Sequence, residues 1–361
     1  MADFSPVAEK FNDLLEQHPS GCAAQVAVYH NGKLEINLAG TAPGTSPITS
    51  ETPFITFSVS KAFTAAAIWK LLEEGKIELD APIARYWPEF GQKGKETATI
   101  RHALLHQAGI PAPHLKQQLF VWPFWGLVTQ NVAREKALFP PGTQTAYHLV
   151  NFGFILGEVV RRVAGIPIDQ FLSTNFFEPM KLTHTWMRIP KTALRSSPRL
   201  FALPGASKQT VWLFNLSIIR HALIPAAGLH SNACELATFF QMLLNGGSYQ
   251  GKQYLKPETI DLATHSHYDG FDSYIKSNIN WGLGLIIAES KSSNIDPMDK
   301  SQGYGSDSDT FSALGMGTCM VWADRKAKLV TAFTCNGMMS DDVTYKRWAA
   351  ISNSVWDGIG K

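Results

Sequence analysis

The chain has 361 residues, with 32 Lys and Arg against 30 Asp and Glu, a formal net charge of +2. Apolar residues make up 45% and charged residues 17%, which suits one large domain or two intimately packed ones with a sizeable core. The opposite charges are interspersed, which argues against a nucleic-acid binder and a polybasic membrane tether, and no apolar run is long enough to span a bilayer.

The first segment, MADFSPVAEKFNDLLEQH, lacks a basic stretch followed by an apolar one and reads as an amphipathic helix, with Phe4, Val7, Phe11, Leu14 and Leu15 at helical spacing. Cys22, Cys234, Cys319 and Cys335 form neither a C-x-x-C pair nor a zinc spacing. The expectation is reduced thiols in a cytoplasmic protein, with a single disulfide still compatible with the count. AAQVAVYHNGKLEINLAG alternates about Asn31-Gly32 and predicts a β-hairpin. After a polar stretch at 42–53, SKAFTAAAIWKLLEE predicts a helix from Ser60 to Glu74, stopped by Gly75.

The middle of the chain carries most prolines and several helical patterns, among them NFGFILGEVVRRVAG, closed by Gly165 with two arginines in its last turn. CELATFFQMLLNGG predicts another helix. A polar loop over 289–310 precedes GTCMVWA and KLVTAFTCN, a second hairpin about Asp324-Arg325, and then a final helix over 341–357. Strands at both ends with helices between predict an α/β (α+β) fold. Its antiparallel sheet is built from N- and C-terminal strands, with an inserted helical region.

The chemistry concentrates in FITFSVSK. A Ser-x-x-Lys spacing puts Ser58 and Lys61 on one helical face, one turn apart, near unpaired backbone N–H groups. A serine hydroxyl attacks well only when a neighbouring base takes its proton, and a lysine serves only if its pKa falls well below about 10.4. The spacing is weak by itself: Ser273 to Lys276 repeats it in a polar region, and a helix-capping serine is the plain alternative.

FITFSVSKAFTAAAIWKLLEEGKIELDAPIARYWPEF resembles the first signature of the serine β-lactamase and penicillin-binding-protein superfamily, in its class C-like branch and closest to family VIII carboxylesterases. The resemblance continues through TIRHALLHQAGIP, PPGTQTAYHLVNFGFILGEVVRRVAG, FFEPMKLTHTWM, AAGLHSNACELATFFQMLLNGG, LKPET and WGLGL, from about 54 to 285. It implies a β-lactamase/transpeptidase-like fold, with residues 1–85 and 221–361 forming an α/β part and 86–220 a mostly helical one. Ser58 would be the acylated nucleophile and Lys61 its partner. Tyr147, after the PPG turn, would share proton transfer and help protonate the leaving group.

Two departures stand out. Class C β-lactamases have Tyr-x-Asn, whereas Tyr147-His148-Leu149 looks more like the esterase branch. The third motif, Lys-Thr-Gly or His-x-Gly, is replaced by Ala313-Leu314-Gly315, so the cation that helps bind a substrate carboxylate is missing. The backbone N–H groups of Ser58 and Met316 would still form an oxyanion hole. His148, Ala313 and Gly315 are expected to border the substrate. Trp122 and Trp125, in the aromatic run LFVWPFWGLV, are either core or walls of an acyl or aryl pocket.

His102 and His106, four apart, are a weak metal pair, and no His-Glu-x-x-His or Gly-x-Ser-x-Gly pattern occurs. No cofactor is implied. The expected function is a cytoplasmic serine hydrolase acting on small, uncharged esters, with acyl transfer to an alcohol as a variant and a small-molecule ester as partner. A β-lactamase or D-Ala-D-Ala peptidase, and an inactive scaffold that keeps the fold, are the alternatives. The 289–310 loop is expected to tune substrate access.

Overall fold

A computed structural model describes residues 2–111, 121–288 and 299–361. Asn31 and Gly32 both take positive φ, 52° and 78°, as a type I′ turn requires, and join β1 (Ala23–His30) to β2 (Lys33–Thr41). Six further strands complete the sheet: β3 (Tyr268–Asp272), β4 (Ser277–Trp281), β5 (Ile286–Ile287), β6 (Thr310–Gly315), β7 (Cys319–Asp324) and β8 (Leu329–Cys335). The order across the sheet is β2-β1-β8-β7-β6-β5-β4-β3, with every neighbour antiparallel. β1 meets β8 in register from Ala24 opposite Cys335 to His30 opposite Leu329. The expected sheet closed by both ends of the chain is therefore present. Strands β3 to β5 extend it beyond what periodicity indicated.

Among the described residues, the helices of eight residues or more are α1 (Ser5–Glu16), α2 (Ser60–Glu73), α3 (Trp125–Arg134), α4 (Asn151–Ala164), α5 (Lys208–Asn215), α6 (Ala233–Leu244), α7 (Pro257–Thr264) and α8 (Asp341–Gly358). α1 and α8 cover one sheet face, where Phe11 and Leu15 share a core with Val26, Val28, Trp322, Phe333, Trp348 and Trp356. α2 and α6 cover the other, continuous with the helical region. No helix among the described residues is long and apolar enough to cross a membrane. The four cysteines are free thiols, three of them buried.

α2 is buried almost all round, and its alanines explain how. Ala62, Ala65, Ala66 and Ala67 are fully buried, so neighbouring backbones approach closely on several sides. α4 makes the matching approach through Gly153, where a Cβ would lie 2.3 Å from Ala226 N and 2.7 Å from Pro225 C. That contact fixes the 225–226 backbone against α2. Gly165 ends α4 in the left-handed conformation, φ 74°.

His148 belongs to this framework, correcting its expected place beside the substrate. It is fully buried: Nδ1–H donates to the Ala146 carbonyl (2.7 Å) and Nε2 accepts from Ile110 N–H (3.1 Å). Its own backbone N–H donates to His106 Nδ1 (3.0 Å). With both ring nitrogens engaged, His148 ties residues 106–110 to 146–148. Burial lowers its pKa to about 4.

Two predictions follow from these packings. Gly153→Ala must displace the 225–226 backbone and is expected to cost about 1–3 kcal/mol, read by urea unfolding. For His148 the unfolded chain binds a proton first as pH falls below about 6.5, so its contribution is whole above that pH and lost as pH falls toward 4, about 3 kcal/mol in all. His148→Gln should therefore lose less stability between pH 7.5 and 5.0 than the parent, by about 2 kcal/mol in parallel urea titrations.

Candidate active site

Ser58 sits on a single 3₁₀ turn, Phe57–Val59, between a short strand and α2. Phe57 takes φ 45°, a left-handed conformation costly for a large side chain and common where a functional residue must be aimed. The turn is clamped from outside. Thr56 donates through N–H and Oγ1 to the Leu229 carbonyl (2.9 and 3.1 Å), and Leu229 N–H donates to Ser60 Oγ (3.0 Å). Ser58 makes no side-chain cap to α2, so the helix-capping alternative does not describe it.

Lys61 follows within the first turn of α2 and is 4% exposed. Its Nζ lies 3.0 Å from Ser58 Oγ and donates to the carbonyls of Leu149 (2.9 Å) and Ala226 (3.2 Å). Burial pushes its pKa well below the ordinary lysine value. A neutral amine has two N–H donors and one lone pair. With both donors taken by carbonyls, the lone pair is left to face the Ser58 hydroxyl.

Tyr147 completes the group. Its ring lies under Lys61 Nζ, 4.6 Å from centroid to nitrogen, and it lines the same cavity as Ser58. Burial raises the phenol pKa above its ordinary value, although the neighbouring Ser58 hydroxyl pulls it down. Trp281 stacks on the Tyr147 ring (5.9 Å, 10° between planes) and His106 packs on it at 4.5 Å. His106, φ 60°, is held neutral by burial. The Tyr147 N–H donates to Asp272 Oδ1 (3.0 Å), which also accepts from Tyr274 and Ile275 N–H.

Ser58, Lys61, His106, Tyr147, Tyr274 and Trp281 line a cavity of about 310 Å³. Ala313 of β6, Leu314 and Met316 form another wall, with Asp341 and Tyr345 from α8 beyond. Ala313 and Met316 thus line the same cavity as Ser58 and Lys61. Gly315 acts differently: a Cβ there would lie 2.0 Å from the Thr56 carbonyl, so glycine lets β6 press against the Ser58 turn instead of bordering the cavity. Among the described lining residues, Asp341 is the one charged side chain outside the Ser58–Lys61 pair.

Trp122 and Trp125 are not in this cavity. Trp125 lies over Gly157 of α4 and donates its Nε1–H to Glu158 (2.7 Å), and Trp122 packs against Phe214. Both line a separate cavity of about 650 Å³ that shares no described lining residue with the first. His102 and His106 do not share a helix, because the helical turn Ile100–Leu104 ends between them. His102 Nδ1 accepts from Thr99 N–H (3.2 Å), and His106 Nδ1 is taken by His148. Residues 289–298 of the loop expected at the mouth lie outside the described residues.

Sequence reasoning missed Asp272, Tyr274, Trp281 and Asp341. The second Ser-x-x-Lys match, Ser273 to Lys276, marks the β3–β4 turn that brings Tyr274 and Ile275 to the cavity. Its usable signal was the preceding Asp272, a residue type that caps turns by accepting backbone N–H groups.

The geometry agrees with what the chain is similar to. A relative from Escherichia coli (strain K12) named as a candidate D-alanyl-D-alanine carboxypeptidase is 28% identical over 255 residues, 62% of this chain and 56% of its own. The chain thus spans little more than half the length of that relative. The esterase/β-lactamase LipL of Mycobacterium tuberculosis (strain ATCC 25618 / H37Rv) is 24% identical, covering 93% of this chain and 82% of its own. Among solved structures, a penicillin-binding-protein homologue from Caulobacter crescentus superposes with TM-score 0.83 at 26% identity, covering 98% of this chain and 97% of its own. A family VIII carboxylesterase does so with TM-score 0.83 at 26% identity, covering 97% and 96%. The β-lactamase family profile matches residues 9–353, and the chain belongs to the β-lactamase family.

Proposed function

We propose that the chain is a serine hydrolase that cleaves small, uncharged carboxylic esters through an acyl-enzyme on Ser58. The observation that carries this reading is the buried Lys61 amine, 3.0 Å from Ser58 Oγ with its other two partners both carbonyls. A scaffold gains nothing from an uncharged lysine held in that state, whereas a nucleophilic serine needs such a base.

In the first half-reaction Ser58 Oγ attacks the ester carbonyl as its proton passes to Lys61. The oxyanion is met by the backbone N–H groups of Ser58 and Met316. The tetrahedral intermediate collapses as the Tyr147 phenol protonates the departing alkoxide, and Lys61 returns a proton to the phenolate. In the second half-reaction water loses a proton to the same pair, attacks the acyl carbon and releases a carboxylic acid, with Ser58 reprotonated. An alcohol in place of water would give a new ester.

Two observations favour uncharged esters over the anionic substrates of β-lactam or peptide chemistry, although one relative is named for carboxypeptidase activity. Ala313 supplies no cation where the resemblance expects one. Asp341 adds a negative charge to the wall reached beyond it, which opposes a second anion. The name of the family VIII carboxylesterase supports this preference, and that of LipL includes ester hydrolysis beside β-lactamase activity.

Short-chain p-nitrophenyl esters test the reading. Ser58→Ala and Lys61→Ala should each lower kcat/KM about a thousandfold or more, with the fold retained by circular dichroism. In the parent, kcat/KM should fall as pH drops through the depressed Lys61 pKa, because the protonated amine cannot accept the Ser58 proton. Tyr147→Phe should lower kcat while leaving that acid limb in place. Full turnover by Ser58→Ala would defeat the proposal. Hydrolysis of a chromogenic cephalosporin faster than of the esters would shift it to the β-lactamase alternative.

A further inference from the structure

The 650 Å³ cavity walled by Trp122 and Trp125 is about twice the size of the Ser58 cavity and lies within the range of small-molecule sites. Its cationic residues are Arg161, Arg188 and Lys191, and none of its described lining residues is acidic. Two of the three cations are already balanced. Glu158 holds the Arg161 fork (2.8 and 2.7 Å), and Asp169 holds that of Arg188 (2.8 and 2.5 Å). Lys191 is exposed and has no ion-pair partner among the described residues.

The remaining walls are mostly apolar, with Ser217 and His221 as the polar members. Ile218 is 57% exposed, and Leu223, Pro123 and Pro167 lie beside the two tryptophans. The indole N–H of Trp122, a residue 2% exposed, has no hydrogen-bond partner among the described residues.

We propose that this cavity binds a monocarboxylate with an apolar body, its carboxylate at Lys191 and its chain against Trp122, Trp125 and Ile218. A single uncompensated cation matches one negative charge, and the two arginine forks, each balanced by its carboxylate, form a polar rim beside it. The walls exclude a small hydrophilic anion, which would leave most of that apolar surface uncovered. The site stands apart from the catalytic reading: Phe214 lies between it and the Ser58 turn, packing on Phe57 at 4.8 Å and on Trp122 at 6.2 Å.

Isothermal titration calorimetry with decanoate tests the proposal, with decan-1-ol as the uncharged control. The parent should bind one decanoate, and decan-1-ol should bind at least tenfold more weakly. Lys191→Glu and Ile218→Asp, both surface changes, should each raise the Kd tenfold or more, whereas Met316→Asp at the Ser58 cavity should leave it unchanged. The proposal is overturned by no heat from millimolar decanoate, by equal affinity for decan-1-ol, or by unchanged binding in both surface variants. Loss of binding in Met316→Asp alone overturns it too, by placing the ligand at Ser58.

Discussion

The arrangement around Ser58 depends on one buried amine. Lys61 Nζ sits in a space where a charge would be poorly solvated, and its hydrogen-bond partners among the described residues are two carbonyls and a hydroxyl. No ion pair among the described residues offsets the loss of water, since Asp341 lines the cavity without pairing with the amine, and the neutral form is favoured. A neutral amine here has one consistent hydrogen-bond pattern, and that pattern aims a lone pair at Ser58. The basicity and the direction of the lysine thus have the same cause, the lack of an ion-pair partner among the described residues.

Everything that fixes this geometry comes from distant parts of the chain. The carbonyls come from Leu149 and Ala226, positioned by the start of α4 and by the glycine contact at Gly153. The turn bearing Ser58 is held by Leu229 on one side and by Gly315 on the other. Tyr147 is gripped along its backbone by Asp272 and across its ring by Trp281 and His106. A substitution at Ala313 touches none of these supports. Under the proposed function, it would change what the cavity recognises while leaving intact the group that reacts. Leu149 shows the same separation: it replaces the polar side chain the resemblance expects, yet its carbonyl is what Lys61 uses.

Much of this was legible in the sequence where one local signal sufficed. Asn31-Gly32 dictated its hairpin, the alanine-rich run dictated a helix able to lie at the centre, and Gly165 ended its helix in the only comfortable conformation. Ser58, Lys61 and Tyr147 were singled out through the family resemblance, since the Ser-x-x-Lys spacing alone also matches Ser273 to Lys276. What was not legible depended on long-range placement. His148 looked like a site residue because it follows Tyr147, but adjacent residues in extended backbone point opposite ways, and its ring enters the core. Trp122 and Trp125 looked like pocket walls and are, but of a different cavity. The wall at Asp341 could not be read at all, since it arises only when the last helix packs across the sheet.

The most direct measurement is the ionisation of Lys61 itself. In protein labelled with ¹⁵N-lysine, the Nζ resonance lost in Lys61→Met should be that of a neutral amine at neutral pH, titrating well below the usual lysine range. An Nζ that remains an ammonium up to about pH 10.4 would contradict the account, because such a lysine cannot take the Ser58 proton.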